Sequence, residues 1–218
     1  MADIFERVDA YIDGLFIEED DGLRAAAASS TDGIIPDIRI SGGQGKFLYL
    51  LAKLTGASRI LEIGTLVGYS TIWMARALPE DGKLVSLEFD PHHAGVARRN
   101  IEKAGVADKV EVITGDAHET LEGMIAEGAA PFDLIFLDAE KPGYPDYLPK
   151  MLKLSRAGTL IAGDNVVRKG EVLDPQDEFA EGAARFNALL AAEPSVEAVI
   201  LQQVGIKGHD GLALARVR

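Results

Sequence analysis

The sequence predicts an α/β fold on a largely parallel sheet, and three observations carry that prediction. From Arg59 onward short β-rich runs alternate with helical stretches, the pattern of βαβ units. Helix punctuation falls where the alternation needs it: Asp90-Pro91 supplies a cap and a first-turn proline, and Gly105 follows the last periodic position, Ala104. At 218 residues and 47% hydrophobic content, the chain has the length and apolar content for one continuous core. The expected organisation is therefore one domain over 1–218, with residues 1–56 as a helical cover and 57–218 as the α/β core.

Helical segments are expected around Phe5 to Phe16 and Gly22 to Ala28, then a loop through Pro36, then a helix from about Gly43 to Leu54, all covering one side of the sheet. The alternation follows: RILEI from Arg59, the helix STIWMARAL, KLVSLEF, the helix HHAGVARRNIEKAG, KVEVI, the helix ETLEGMIAEG, FDLIFLD, the helix YLPKMLKLS, and TLIAGD ending at Asp164. Beyond Asp164 come a loop (NVVRKGEVLDPQD), a helix (EFAEGAARFNALLAA), and two strands, VEAVILQQV and GLALARV. The turn-rich GIKGHDG between those strands makes them an antiparallel hairpin.

Composition narrows the partners. Thirty-five acids against 22 Lys and Arg give a net charge of −13, which repels nucleic acid and anionic membrane surfaces and favours a small-molecule partner. No apolar run reaches the roughly 18 residues of a membrane span, and the first residues lack a cleavable signal pattern, so the expected location is cytoplasmic. With no cysteine and four scattered histidines, any metal has to be held by oxygen, which means a hard cation.

The segment Leu61-Glu62-Ile63-Gly64-Thr65-Leu66-Val67-Gly68-Tyr69-Ser70 lies between the first strand of the alternation and the next helix, at the edge where open α/β proteins bind ligands. Its spacing is G-x-x-x-G. A dinucleotide loop needs a second glycine where Leu66 stands, and no Lys-Ser or Lys-Thr follows as in a P-loop. Glu62 repels phosphate and suits a ligand with a cationic amino group or sulfonium. Glu88, at the end of the second strand, can accept from both ribose hydroxyls, and Asp116, at the end of the third, from an adenine amino group. Each acid alone often merely caps the next helix; three strand ends in register read as a nucleoside site.

The fourth strand leads into Asp138-Ala139-Glu140-Lys141 and the fifth into Asp164-Asn165. Two carboxylates and an amide carbonyl can hold Mg2+, with Ca2+ or Mn2+ as alternatives, and leave positions for a bidentate substrate. Taken singly, Asp164-Asn165 also reads as a turn, Asp138 as a cap, and Lys141 as a solvated ion-pairing lysine. Trp73 and Met74 read as core, and none of the four histidines is given a catalytic role.

On these residues the chain resembles the cation-dependent O-methyltransferases, the group that includes the caffeoyl-CoA and catechol enzymes and many bacterial relatives. The resemblance runs from about Asp37 to Arg218, and rests on Glu62-Ile-Gly-Thr-Leu-Val-Gly-Tyr-Ser70, Phe-Leu-Asp138-Ala-Glu-Lys141, Gly-Asp164-Asn165-Val-Val and Gly-Ile-Lys-Gly-His-Asp-Gly211. It implies a Rossmann-like class I methyltransferase with a seven-stranded, mostly parallel sheet of order 3-2-1-4-5-7-6, and a homodimer. It implies that Ser41, Glu62, Gly64, Thr65, Ser70, Glu88, Ala117 and Asp138 contact S-adenosylmethionine. It also implies that Asp138, Asp164 and Asn165 hold the divalent cation, and that Lys141 is the general base acting on a phenolic or catechol acceptor. The segment after Asn165, Val-Val-Arg-Lys-Gly, departs from the Trp-Asn-Gly type of the plant enzymes and points away from a phenylpropanoid-CoA acceptor. Two further readings stand beside this one: an NAD-dependent oxidoreductase, against which the missing G-x-G-x-x-G argues, and a non-catalytic nucleoside-binding protein, against which Asp138, Lys141, Asp164 and Asn165 argue.

Overall fold

Among the described residues, 2–29 and 35–218 of the computed structural model, seven strands form one sheet in the order β3-β2-β1-β4-β5-β7-β6. The strands are β1 (Arg59–Ile63), β2 (Lys83–Glu88), β3 (Val110–Thr114), β4 (Phe132–Leu137), β5 (Ser155–Gly163), β6 (Val196–Gly205) and β7 (Gly208–Val217). Pairings from β3 through β5 are all parallel, and β7 runs antiparallel to both β5 and β6. The implied strand order is thus the observed one. Because β1 neighbours both β2 and β4, the order reverses at its carboxyl end, where connecting loops part and leave a crevice.

The helices are α1 (Ala2–Phe16), α2 (Asp21–Ser29), α3 (Gly42–Leu54), α4 (Tyr69–Ala77), α5 (Pro91–Lys103), α6 (Ala117–Ala126), α7 (Tyr144–Lys153) and α8 (Glu178–Ala192). Every residue of β4 is buried, and its side chains divide by period two between the sheet's faces. Leu134 and Phe136 join Leu48, Trp73, Met74 and Ile101 under α3, α4 and α5; Ile135 and Leu137 join Leu121, Met151, Phe186 and Leu190 under α6, α7 and α8. Trp73 and Met74 are core, as read from sequence. Asp90 caps α5 through the amides of His92 and His93, with Pro91 in the first turn. Part of the loop expected through Pro36 lies outside the described residues.

The largest differences from the sequence reading are at two boundaries. β5 starts at Ser155, inside the stretch read as helix, because Gly158 at φ 92° lets the strand pass an irregularity and pair Ser155 with Phe132. The hairpin turn is only Ile206-Lys207: pairing continues to Gly205 opposite Gly208, so glycines that read as a seven-residue turn belong to strands, and His209 pairs with Val204. At the sheet edge β6 exposes Val199, Leu201 and Val204 near α1, which exposes Tyr11, Leu15 and Phe16. No helix among the described residues is long and apolar enough to cross a membrane.

Candidate active site

A cavity of about 830 Å³ opens at the carboxyl edge of the sheet, over the ends of β1, β2, β4 and β5. Its floor is set by Gly64. The Asp138 amide donates to the Ile63 carbonyl at 2.8 Å, and the Asp138 carbonyl then lies where a Gly64 Cβ would sit, 2.1 Å away. Gly64 also stands at φ 99°, so it meets both a conformational and a steric demand that only glycine satisfies. Gly64→Ala is expected to cost about 2–4 kcal/mol, the sum of backbone strain and a collision with an immobile carbonyl. Chemical denaturation measures it, and a loss under about 0.5 kcal/mol, the size of an ordinary surface change, would contradict the close approach.

Glu88 holds the loop that Gly64 begins. Its Oε2 accepts from the amides of Thr65 (3.1 Å) and Leu66 (2.7 Å), and its Oε1 from the amide of Asp90 (2.9 Å). These bonds keep Leu66 in its left-handed conformation, φ 51°, while the carboxylate still lines the cavity. Gly68 (φ 81°) opens α4, whose first turn brings Ser70 to the wall.

Glu62 lies beneath this floor. Expected among the cofactor contacts, it is wholly buried and absent from the cavity lining; its carboxylate accepts from the hydroxyls of Ser70 (2.5 Å), Thr71 (2.5 Å) and Ser86 (2.6 Å). Burial pushes its carboxyl up to about 7, against the three hydroxyls, which favour the ionised form. Glu62 thus reaches the cavity through Ser70. Ser41 is likewise outside the lining and caps α3, accepting from the Gln44 amide at 3.2 Å. Asp116 caps α6 through the amides of His118 and Glu119, and it also lines the cavity beside Ala117.

The oxygen cluster converges at the other end. Asp138, Lys141, Asp164 and Asn165 all line the cavity. Lys141 is buried rather than solvated: its Nζ donates to Asp138 Oδ1 (3.2 Å), the Ala139 carbonyl (2.9 Å) and the Tyr144 hydroxyl (2.9 Å). The Tyr144 hydroxyl is within donating distance of the Leu137 (3.1 Å) and Asp164 (3.0 Å) carbonyls. Asp164 is 3% exposed, and its carboxyl is raised above the ordinary range, first by burial and then by the charge of Asp138. Two carboxylates and one lysine leave surplus negative charge on hard oxygen donors, which suits a divalent cation. Among the described residues no group of three or more His, Cys, Asp or Glu is placed to hold a metal, so the amide of Asn165 would complete the set.

Several lining residues escaped the sequence reading. Gln44 brings its side chain beside Asp164 from the first turn of α3, and nothing in the sequence of that helix marks it. His118 stacks on Tyr147 with ring centroids 4.1 Å apart, and the Tyr147 hydroxyl donates to Glu140 at 2.9 Å. Nothing in the sequence marks that stack.

A family model described as O-methyltransferase matches residues 17–218. The chain is 54% identical over 217 residues to a catechol O-methyltransferase of Niastella koreensis, covering 99% of this chain and 98% of the relative. It is 46% identical to a catechol O-methyltransferase of Mycobacterium tuberculosis, covering 97% and 95%. Among solved structures, an O-methyltransferase of Bacillus cereus in complex with S-adenosylhomocysteine superposes with a TM-score of 0.97 at 47% identity, covering 100% of both chains. The O-methyltransferase TomG of Streptomyces achromogenes, in complex with S-adenosylmethionine, superposes with a TM-score of 0.96 at 45% identity, covering 99% of this chain and 98% of that one.

Proposed function

The chain belongs to the O-methyltransferase family, and we propose that it transfers the methyl group of S-adenosylmethionine to one hydroxyl of a catechol with the help of a divalent cation. One observation carries this reading: the loop held by Glu88 and the cluster of Asp138, Lys141, Asp164 and Asn165 share one cavity. The dinucleotide and non-catalytic readings are set aside, the first by the family and the second by relatives named as enzymes.

S-adenosylmethionine supplies a methyl carbon made electrophilic by its sulfonium. Glu88 is assigned to its ribose hydroxyls and Asp116 and Ala117 to its adenine. Gly64, Thr65, Ser70 and, through Ser70, Glu62 are assigned to its amino acid part, and Ser41 sets the start of the helix that carries Gln44. Asp138, Asp164 and Asn165 would hold the cation, which when bound lowers the pKa of a coordinated hydroxyl and orients two neighbouring oxygens. A phenol of pKa about 10 is mostly protonated at neutral pH, so the acceptor hydroxyl has to lose its proton. Lys141, fixed beside Asp138, would receive it in its neutral form, in which Nζ keeps a lone pair and donates no more than two of its three hydrogen bonds. The acceptor oxygen forms its bond to the methyl carbon in line with the breaking carbon–sulfur bond, whose electron pair stays on sulfur.

We also propose a cytoplasmic homodimer of single-domain subunits; the exposed apolar band of α1 and β6 supports the pairing. The test of the main reading is acceptor geometry. An ortho-dihydroxy aromatic should be methylated with a kcat/KM at least about a hundredfold above that of the matching monophenol, a modest share of the gain available from fixing a reacting group. Equal values for the two compounds would defeat the catechol reading.

A further inference from the structure

Directly after Asn165 the backbone takes a course that side chains avoid. Asn165, Arg168 and Lys169 all stand at positive φ, 55°, 51° and 56°, though none is glycine. The segment is held there from outside. Asp210 Oδ1 accepts from the amides of Val167 (3.1 Å), Arg168 (2.9 Å) and Gly211 (2.8 Å), and the Asn187 side chain donates to the Val166 carbonyl at 2.7 Å. The result of this bracing is that Arg168 and Lys169 line the cavity on the same side as Asp164 and Asn165.

The charge of these two residues is unspent. Lys141, Arg39 and Lys207 also line the cavity, and each has a carboxylate partner, Asp138 for the first and Asp37 for the other two. Among the described residues no carboxylate lies within ion-pair distance of Arg168 or Lys169. Asp210, the acid that fixes their backbone, has three amides on one oxygen. The Arg168 guanidinium lies over the Phe179 ring at 5.9 Å, and its Nε is buried without a hydrogen-bond partner among the described residues. A second hollow of about 100 Å³ adjoins this pair, shared with Glu171 and Asp210; Asp210 also lines the main cavity, whereas Glu171 does not. In a protein of net charge −13, two unpaired cations presented by a strained and braced segment call for an anion.

We propose that the acceptor is an anionic catechol, whose carboxylate pairs with the Arg168 guanidinium while Lys169 adds positive charge beside it. The proposal rests on the catechol reading above and adds the feature by which catechols are told apart. The ring lies between the oxygen cluster and Arg168, with Phe179 behind the guanidinium, and the carboxylate plays no part in the methyl transfer itself.

The test compares 3,4-dihydroxyphenylpropionate, its methyl ester, and the cationic 3,4-dihydroxyphenethylamine in a methyl-transfer assay. For the wild type, kcat/KM for the acid should exceed that for the ester by about tenfold or more, the range for a hydrogen bond to a charged group. The difference should lie mainly in KM and shrink as salt is raised. Arg168→Gln should bring the acid-to-ester ratio near one, and Arg168→Glu should shift preference to the amine, a reversal that a merely structural role would not produce. A wild type that methylates the ester as well as the acid would overturn the anion reading and leave the catechol reading standing. So would an Arg168→Gln protein with the wild-type ratio, or one whose S-adenosylhomocysteine affinity, measured by calorimetry, falls about as much as its preference for the acid; the cation would then serve the methyl donor's carboxylate. Methylation of none of the three would overturn the catechol reading and this inference with it.

Discussion

Asp164→Ala is expected to lower kcat on a catechol by more than about a hundredfold, beyond the 10–100-fold typical of a residue that only supports a metal ligand. Its affinity for S-adenosylhomocysteine should change little, because Asp164 directly follows β5, two strands along the sheet from β1 and the loop held by Glu88. The loss would not reflect unfolding. The Asp164 carboxyl is raised in the folded protein by burial and by Asp138, so the folded state holds its proton more tightly than the unfolded one. Its contribution to the stability of the metal-free protein is therefore complete at low pH and is lost as pH rises from 3.8 upward through the raised value. At pH 8 the metal-free variant should melt no lower than the wild type. EDTA should reproduce the variant's defect in the wild type, and added Mg2+ should rescue only the wild type. Full activity in EDTA would mean that the oxygen cluster is a structural turn.

Lys141→Gln should lower the single-turnover rate by about 10²–10⁴-fold, the usual contribution of a positioned acid or base. Glutamine is the informative replacement because its amide can still donate to Asp138 or to Tyr144, whose hydroxyl would otherwise lose the Nζ donor. Cofactor affinity and melting temperature measured alongside separate a chemical defect from a collapsed site. A rate within fivefold of wild type would assign Lys141 to positioning Asp138 rather than to proton transfer.

How much of this site could be read in advance follows from the topology. In a parallel sheet all carboxyl ends meet at one edge, so Gly64, Glu88, Asp138 and Asp164, each found by counting along a strand, had to converge. The caps at Asp90 and Gly105 are likewise local and were legible. Residues that depend on how one element lies on another were not. Glu62 read as a wall residue because its neighbours are, yet the pleat turns it under the floor toward Ser86. Lys141, implied as the general base, read as a solvated ion-pairing lysine when taken singly, whereas packing buries it and supplies three acceptors. Arg168 and Gln44 reach the cavity through a braced loop and a crossing helix, and neither leaves a spacing in the sequence. The hairpin was legible as a pair, but its turn was misjudged because glycine marks strand ends and turns alike.

The tip of that hairpin has a consequence for how the protein is made. The Ile206 amide donates to Asp9, 197 positions away, and Lys207 reaches Asp37, 170 positions away, while Asp210 braces Arg168 across 42. Contacts of such separation are the slowest to form, and the ribosome emits the early partner long before the late one. The strands and loop proposed to meet the methyl donor, residues 59 to 138, can assemble while residues 206–210 are still unmade. The segment of Arg168 and Lys169, proposed to meet the acceptor, has to wait for them. On that proposal a nascent chain would acquire its two binding faces in a fixed order, with the acceptor's face the last to close.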